Sequence, residues 1–459
     1  MFQHNWHRSG FATCDIPETA QLMWEYDVGV DFSAPIYDTD IEHTYGTLFV
    51  ASNDGYIYAF DDITRDLLWA QYLGIGTKST PLLDNSTGHL YVGSGNKLYA
   101  LNKLDGNILW SYTTGGDVES SPATIPGSGM VYFGSGDGNV YALSSSGTLE
   151  WSFTTGGAVI SSPVIHESGM VFVGSSDRKL YALNSSTGAP LWDFETNGDI
   201  ISTPMVRENI ETVFVGSLDG QLYALNRNNG NLLWNYTTGD VVISSPAVNR
   251  NTGVLYIGSN DNKVYAFNST TGDLLWSYIT ADDVKSSPAI SDGKVIVNSV
   301  DGHVYVLSES TGSLIWDYET GYTSESSPMV ENDRLFVGTN TSVFVFGHVD
   351  NVTDITIDID PDTINKKSKG KWITAYIEVD GYDPSWLDTS SLLLEGTVPS
   401  SGPTNIGDHD GDGIKDLMVK FDRKEVIGIL DTGEAVEITI TGMVGETPFE
   451  GSDIVNVIG

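Results

Sequence analysis

Residues 179–192 read KLYALNSSTGAPLW, and nearly the same phrase returns as QLYALNRNNGNLLW at 221–234 and KVYAFNSTTGDLLW at 263–276. Each copy ends on a tryptophan, and tryptophans in this phrase recur along the chain every 40 to 45 residues. A fixed period of this length is typical of repeat folds, in which one supersecondary unit stacks on the next. The repeat tryptophans are Trp24, Trp69, Trp110, Trp151, Trp192, Trp234, Trp276 and Trp316.

Two further phrases keep the same period. One is a Ser-Ser-Pro-like phrase, and the other is a Tyr-Ala-Leu-like phrase that becomes Phe344-Val345-Phe346 at its last occurrence. All three phrases therefore count eight units. The prolines are Pro35, Pro81, Pro122, Pro163, Pro204, Pro246, Pro288 and Pro328, and the tyrosines are Tyr58, Tyr99, Tyr141, Tyr181, Tyr223, Tyr265 and Tyr305.

Each unit is predicted to contain four short antiparallel strands. Asp137-Gly138 and Ser146-Gly147 supply the positive φ that tight hairpin turns require. Four strands per period of about 41 residues match one blade of a β-propeller. The sequence therefore predicts an all-β fold with an eight-bladed propeller, in which the repeat tryptophans pack between neighbouring blades. In the unit around Pro122 the predicted strands are 121–124, 130–134, 139–143 and the strand that carries Trp151.

The order of the phrases predicts how the ring closes. The chain enters on a tryptophan strand at 22–26 and leaves after a third strand at 343–346, with no tryptophan strand behind it. We expect these two segments to pair antiparallel, because that pairing completes the last blade and removes two exposed sheet edges. The predicted domains are an N-terminal extension at 1–21, the propeller at 22–347 and a β-sandwich at 348–459.

The repeat resembles the pyrroloquinoline-quinone-type propeller repeat, which has Asn or Asp, Gly four residues later and Trp four residues after that. Asn184-Gly188-Trp192 keeps this pattern, as do the copies ending at Trp110, Trp234 and Trp276. Two copies depart from it: Arg65 replaces the glycine before Trp69, and the copy ending at Trp151 is one residue short. The resemblance covers about residues 20–347 and implies a propeller.

Members of that family include quinone- and Ca²⁺-dependent dehydrogenases and a non-catalytic, BamB-like branch that acts as a binding platform. Many of the dehydrogenases carry a vicinal disulfide, long insertions or a Cys-X-X-Cys-His motif. This chain has one cysteine, Cys14, and uniform repeats. The resemblance therefore implies a protein without enzymatic activity and without the quinone cofactor. The alternatives are a quinone-dependent dehydrogenase with its site over the channel, or a structural surface-layer or filament subunit.

The residue three before each proline is expected to lie at the channel mouth, where the inner strands begin. Most of these positions carry charged or aromatic side chains, but three consecutive repeats carry isoleucine. Because a purely structural ring would repeat one residue type, this asymmetry predicts a ligand or peptide site. The candidate residues are Phe32, Lys78, Glu119, Lys285 and Glu325, and the isoleucines are Ile160, Ile201 and Ile243.

Residues 350–459 have no repeat, and runs such as 372–379 and 436–440 alternate in hydrophobicity like half-buried strands. With further runs at 355–359, 392–394 and 417–421, they predict a small immunoglobulin-like β-sandwich. The domain resembles C-terminal modules of prokaryotic, especially archaeal, surface proteins, a resemblance that includes the closing phrase at 445–452.

The segment 408–416 reads DHDGDGIKD, which matches the first nine places of a calcium-binding loop. Val419 stands where a helix-loop-helix site has its bidentate glutamate, and a strand rather than a helix is predicted to follow. We therefore expect an isolated structural Ca²⁺ loop, with a missing ligand supplied by Asp422 or water. The predicted ligands are Asp408, Asp410, Asp412, Ile414 through its carbonyl, and Asp416.

Composition indicates the expected partners. The chain has 61 acidic and 22 basic residues, a net charge of −39, which disfavours binding to nucleic acid and to anionic lipid. The sequence contains neither a long apolar segment nor a signal-peptide-like segment. We expect an extracellular or cell-surface protein that binds protein or glycan partners or self-associates. Six Asn-X-Ser/Thr sequons permit glycosylation after export, although turn-rich chains produce such triplets by chance: Asn85, Asn184, Asn235, Asn268, Asn340 and Asn351.

Overall fold

The protein is described here from a computed structural model. The structure describes residues 12, 16–17, 19–20, 22–29, 33–38, 46–61, 65–76, 78–347, 355–379, 384–409, 411, 414–444 and 447–459. The chain divides into two compact units, Met1–Asp61 with Leu67–His348, and Asp62–Asp66 with Val349–Gly459.

In its described residues, the first unit folds into eight antiparallel sheets, one for each sequence repeat, and forms a β-propeller. We call the sheets blades 1 to 8. Blade 1 contains β2 (Ile36–Asp38), β3 (Thr47–Ala51), β4 (Tyr56–Asp61) and β5 (Leu67–Tyr72); blade 2 contains β6 (Leu82–Asp84), β7 (His89–Ser94), β8 (Lys97–Asn102) and β9 (Ile108–Thr113); blade 3 contains β10 (Met130–Gly134), β11 (Asn139–Ser144) and β12 (Leu149–Thr154); and blade 4 contains β13 (Val164–His166), β14 (Met170–Gly174), β15 (Lys179–Asn184) and β16 (Pro190–Glu195). Blade 5 contains β17 (Met205–Arg207), β18 (Thr212–Gly216), β19 (Gln221–Asn226) and β20 (Leu232–Thr237); blade 6 contains β21 (Ala247–Val248), β22 (Val254–Ser259), β23 (Lys263–Asn268) and β24 (Leu274–Ile279); blade 7 contains β25 (Ala289–Ser291), β26 (Lys294–Asn298), β27 (His303–Ser308) and β28 (Leu314–Glu319); and blade 8 contains β29 (Met329–Glu331), β30 (Arg334–Gly338), β31 (Val343–Gly347) and β1 (Leu22–Tyr26).

In blade 5 the two middle strands are almost wholly buried, whereas the outer strand alternates between exposed and half-buried residues. Blade 3 departs from the prediction. The expected first strand at 121–124 reduces to a single bridge between Ala123 and Tyr132, so its sheet has three strands. The alternation of residue types is correct there, but too few backbone hydrogen bonds form to extend the pairing.

The predicted closure of the ring is confirmed. Strand β1 pairs antiparallel with β31, with Glu25 opposite Phe344 and Tyr26 opposite Val343. The N-terminal strand thereby becomes the outer strand of blade 8, and the first and last repeats share one sheet.

The repeat tryptophans bridge neighbouring blades, as predicted. In the described residues, seven of them donate the indole N–H to a backbone carbonyl in the next blade, at 2.7–3.3 Å. The ring of Trp151 also lies against Gly188 of the next blade, where an added Cβ would come within 2.5 Å of a ring carbon. Gly188 has φ of 70°, so the glycine of the repeat is required by both the close approach and the backbone conformation. The acceptors, in blade order, are Lys103, Ser145, Ser185, Arg227, Ser269, Glu309 and Pro17.

Each serine of the Ser-Ser-Pro phrase has a separate role. The first hydroxyl accepts the backbone N–H at the end of the second strand of its own blade, at 2.7–3.1 Å in six blades. The second hydroxyl, or threonine in its place, accepts a backbone N–H from the preceding blade at 2.8–3.0 Å. The phrase therefore links the inner strands within and between blades through buried polar groups that satisfy one another.

In the second unit, two sheets contribute to one hydrophobic core. A seven-residue helix, α1 (Arg423–Ile429), follows the strand Asp416–Asp422 and was not predicted. No helix in the described part of the chain is long and apolar enough to cross a membrane. The immunoglobulin-like topology stays a prediction. The sheets are β32 (Ile355–Asp360), β34 (Trp372–Val379), β38 (Asp416–Asp422) and β37 (Asn405–Gly407), and β33 (Thr363–Asn365), β40 (Thr447–Ile458), β39 (Gly433–Val444), β35 (Leu393–Leu394) and β36 (Val398–Pro399); two single-turn 3₁₀ helices are Glu208–Ile210 and Pro384–Trp386.

Candidate functional site

The charged residues predicted at the channel mouth form ion pairs with one another. Lys78 Nζ lies 3.2 Å from Glu119 Oε1, and Lys285 Nζ lies 2.7 Å from Glu325 Oε1. Each pair joins a lysine of one blade to a glutamate of the next, so these charges bridge blades. Phe32 lies outside the described residues.

Between these two pairs, the three isoleucines form what we call the isoleucine arc, Ile160, Ile201 and Ile243 on blades 4 to 6. Ile160 is 36% exposed, and the other two are half-buried. Among the described residues of the predicted mouth, the arc is the part that lacks charge, and it still reaches solvent. Sequence reasoning found these positions but did not find that the flanking charges neutralise each other.

Near the Lys285–Glu325 pair, carboxylates cluster around Asp283. Burial raises the pKa of Asp283, and the nearby Asp282, Asp240 and Glu325 raise it further, although Lys285 acts in the opposite direction. Asp283 Oδ2 accepts a hydrogen bond from Asn260 Nδ2 at 2.8 Å. Asp283 and its neighbours therefore add carboxylates next to one of the ion pairs predicted at the mouth.

An aspartate in the turn between the second and third strands of a blade has a structural role. In six blades the tyrosine of the third strand donates its hydroxyl to this aspartate at 2.5–2.9 Å. Asp137 also accepts the backbone N–H of Gly115, in the segment that enters its blade, at 2.7 Å. Burial raises the pKa of Asp137, but these hydrogen bonds, with those from Asn139, outweigh it and lower the pKa overall. Burial and the aspartate together raise the pKa of Tyr141 and its counterparts.

At the other end of the blades, polar pairs that differ from one interface to the next join neighbouring blades. Asp38 and Lys103 form a buried ion pair at 3.0 Å, each 7% exposed. His166 Nε2 lies 2.6 Å from Arg227 Nη1, and both side chains are buried. Burial lowers the pKa of His166, as does Arg227, and Glu208 and Glu167 partly oppose this shift. A third interface pairs Asn249 Nδ2 with Glu309 Oε1 at 2.8 Å.

The predicted calcium loop is only partly described, because Asp410 and Asp412 lie outside the described residues. Asp408 and Asp416 line a cleft of about 440 Å³ together with Asp358 and Thr356 of β32. Asp416 Oδ2 accepts the backbone N–H of His409 at 2.8 Å. Within the described residues, no three His, Cys, Asp or Glu side chains lie close enough to hold a metal ion.

Asp422 does not supply a missing ligand to this loop, contrary to the sequence-based suggestion. It ends β38, whereas Asp416 begins it, and six residues of extended strand span roughly 20 Å. The Asp422 side chain instead accepts the backbone N–H groups of Lys424 and Glu425 and caps helix α1.

Comparison with known proteins assigns the sequence to a family. A family model described as outer membrane protein assembly factor BamB matches residues 17–158, 136–278 and 244–349. The chain belongs to the BamB family. The overlapping matches within this BamB-family chain follow from its repeats. No curated protein matches the sequence.

Solved structures agree on the fold. BamB from Moraxella catarrhalis superposes with a TM-score of 0.59 at 20% identity, covering 72% of this chain and 98% of that one. The computationally designed Ika8 protein gives 0.62 at 16% identity, covering 72% and 100%. A europium-containing methanol dehydrogenase gives 0.63 at 12% identity, covering 76% and 97%. At such identities the likeness shows the propeller fold alone, shared by BamB and by an enzyme.

Proposed function

We propose that this BamB-family chain is a non-enzymatic, exported binding protein, extracellular or at the cell surface, whose propeller holds a partner protein at the channel mouth. BamB-family membership supports an interaction platform. The strongly acidic surface keeps such a protein soluble and favours partners with basic groups.

The observation that carries this proposal is the isoleucine arc. At the same position in other blades, Lys78 pairs with Glu119 and Lys285 pairs with Glu325, so those side chains serve the propeller itself. Ile160, Ile201 and Ile243 make no such polar contact and offer apolar surface on three consecutive blades. Cores of protein interfaces are depleted in charge and enriched in apolar side chains, which favours a protein partner over a glycan.

Substitution within the arc tests this proposal. The full-length protein, immobilised, is exposed to envelope extract of the native host, and retained proteins are quantified for wild type, Ile160→Asp and Ile279→Asp. Ile279 is 67% exposed on the outer strand of blade 6 and serves as the matched control. We expect Ile160→Asp to reduce the retained partner at least tenfold and Ile279→Asp to leave it unchanged. Equal retention by all three proteins contradicts the proposal.

The enzyme alternative has support in the fold shared with methanol dehydrogenase. Absorbance titration of the full-length protein with pyrroloquinoline quinone and Ca²⁺ tests it. Saturation at one quinone per chain, followed by alcohol-dependent reduction of a dye, would establish the enzyme and overturn the platform. Polymers at native concentration in light scattering would favour the surface-layer or filament alternative.

We also propose that the loop at 408–416 binds a structural Ca²⁺. Asp358, Asp408 and Asp416 line one cleft, and oxygen ligands are those that Ca²⁺ prefers. These three carboxylates are not close enough to hold an ion by themselves, so the proposal also needs Asp410 and Asp412, which the loop pattern predicts as ligands. Calorimetric titration of the chelator-treated protein is expected to show one site that Asp408→Asn weakens at least tenfold. Asp388→Asn is the control, since Asp388 caps a turn elsewhere in the unit. Wild-type protein that binds no Ca²⁺ would refute the site.

A further inference from the structure

The outer strand of each blade places two residues outward, the one directly after the repeat tryptophan and the one two positions further. Both positions are exposed in every outer strand from blade 1 to blade 7. What they carry differs between blades. The pairs are Ala70 and Tyr72, Ser111 and Thr113, Ser152 and Thr154, Asp193 and Glu195, Asn235 and Thr237, Ser277 and Ile279, and Asp317 and Glu319.

These positions matter because an outer strand has an open edge. An edge strand with an apolar surface pairs readily with another chain, and outward charges prevent that pairing. Blades 4 and 7 carry two carboxylates each at these positions. Blade 5 carries no charge on β20, although Leu232 and Leu233 are both exposed there. The adjacent β24 of blade 6 exposes Leu274, Leu275 and Ile279.

In blade 5 these two outward positions are the first and third residues of the sequon Asn235-Tyr236-Thr237. The strand period of two places the Asn235 amide and the Thr237 hydroxyl on one exposed face. Asn235 is exposed, and its Nδ2 donates across the strand pair to the side-chain oxygen of Gln221 on β19. Because this contact lies at the surface, a group attached to Nδ2 would stay outside the core and extend into solvent beside the exposed Leu232 and Leu233 of the same strand.

The other described sequons differ in this respect. Asn184 and Asn268 close the turns after β15 and β23, with their side-chain oxygens accepting backbone N–H groups at 2.9–3.2 Å. Asn85 donates to Asp38 and accepts from Lys103, so both ends of its side chain belong to a buried ion-pair network. Asn340 is exposed in the turn after β30, and Asn351 lies outside the described residues.

We propose that Asn235 carries an N-linked oligosaccharide that covers the uncharged outer edge of blades 5 and 6. This inference rests on the export of the protein. In the transfer, Asn235 Nδ2 forms a bond to the anomeric carbon of an oligosaccharide carried on a lipid phosphate. The bond between that carbon and the phosphate oxygen breaks, the amide nitrogen loses one proton, and the lipid phosphate leaves. The glycan then prevents the outer strand of blade 5 from pairing with another chain. Asp193 with Glu195 and Asp317 with Glu319 have the same effect, through their charges, in blades 4 and 7.

Peptide mass spectrometry of the protein purified from its native host tests this site. We expect the peptide that contains Asn235 to carry a hexose-containing mass increment, lost in Thr237→Ala because the acceptor triplet is then broken. Thr154→Ala is the matched control, since Thr154 holds the same outward position in blade 3 without a sequon. Asn235 recovered unmodified, or an increment that survives in Thr237→Ala, would overturn the proposal.

The glycan experiment and the partner-retention experiment can succeed or fail independently. Unmodified Asn235 in a protein that still retains its partner through the isoleucine arc would reject the glycan alone. A glycan on Asn235 in a protein whose partner retention is insensitive to Ile160→Asp would reject the docking surface and keep the glycan.

Discussion

Trp316 donates its indole N–H to the carbonyl oxygen of Pro17 at 2.8 Å, across 299 residues of the chain. Pro17 precedes Trp24 by seven residues, as Arg227 precedes Trp234 and Ser185 precedes Trp192. The segment before β1 therefore keeps the register of a blade turn and belongs structurally to blade 8, although its sequence predicted only an extension. Ile16, fully buried, packs in the same cluster as Trp316.

We expect Ile16→Ala to destabilise the propeller by about 2–5 kcal/mol, because it removes buried methyl groups where the ring closes. Ile75→Ala is the control, since Ile75 is 69% exposed and its loss should change stability by no more than about 0.5 kcal/mol. Urea unfolding of both variants measures the difference. Equal midpoints for the two variants would show that the N-terminal segment contributes nothing to closure.

Substitutions of Gly188 and Gly88 by alanine distinguish the cost of backbone strain from the cost of a steric clash. Both have φ near 70°, but only at Gly188 would an added Cβ meet a tryptophan ring, whereas nothing lies within 4 Å of it at Gly88. We expect Gly188→Ala to cost about 1–3 kcal/mol more than Gly88→Ala, because only the first overpacks a blade interface. Thermal unfolding compares them. A smaller loss for Gly188→Ala would contradict the role assigned to this glycine.

The Asp38–Lys103 pair should be far more sensitive than the Lys78–Glu119 pair. Replacing Lys103 by Met leaves a buried carboxylate without its cation, an effect of about 3–5 kcal/mol. Lys78→Met removes a cation that is 47% exposed, so about 1 kcal/mol or less is expected. Denaturant titrations give both values, and the double variant Asp38→Asn/Lys103→Met should recover part of the loss. No recovery would show that packing of the lysine, not charge, is responsible.

His166 makes stability depend on pH. Its pKa in the folded protein lies below its ordinary value of 6.5, because burial and Arg227 disfavour the cation despite Glu208 and Glu167. The unfolded chain therefore binds this proton first, and the contribution of His166 is complete above about pH 6.5 and lost as pH falls through the folded-state pKa.

We expect His166→Gln to flatten the pH dependence of the unfolding free energy between about pH 5 and 7. His303→Gln is the control, since His303 is partly exposed and bonds Asp317 at the surface. Unfolding measured across that interval decides the matter, and an unchanged slope in His166→Gln would refute the assignment.

Much of the fold was predictable because the sequence contains eight copies of the same blade pattern. The phrase ending at Trp192 implies a blade, and the phrase order implies that 22–26 pairs with 343–346, since an incomplete blade at one end matches an unattached strand at the other. The short strand at 121–124 was overestimated, because alternation of residue types does not reveal how many ladder hydrogen bonds form. The sequence identified the repeat positions that we expect at the mouth, but it did not show that the lysines and glutamates there pair with one another between blades.

The amino-acid sequence by itself determined the propeller, its closure and the candidate positions at the mouth and in the calcium loop, because periodicity and turn chemistry are local properties. The tertiary structure decided which of those positions remain available. His166 meets Arg227 across 61 residues of chain, and Asp38 meets Lys103 across 65. Such pairs depend on how one blade rotates against the next, a relation that no single repeat encodes. For the same reason, only the structure shows that Asp422 caps a helix and that Asn235 faces solvent on an uncharged edge.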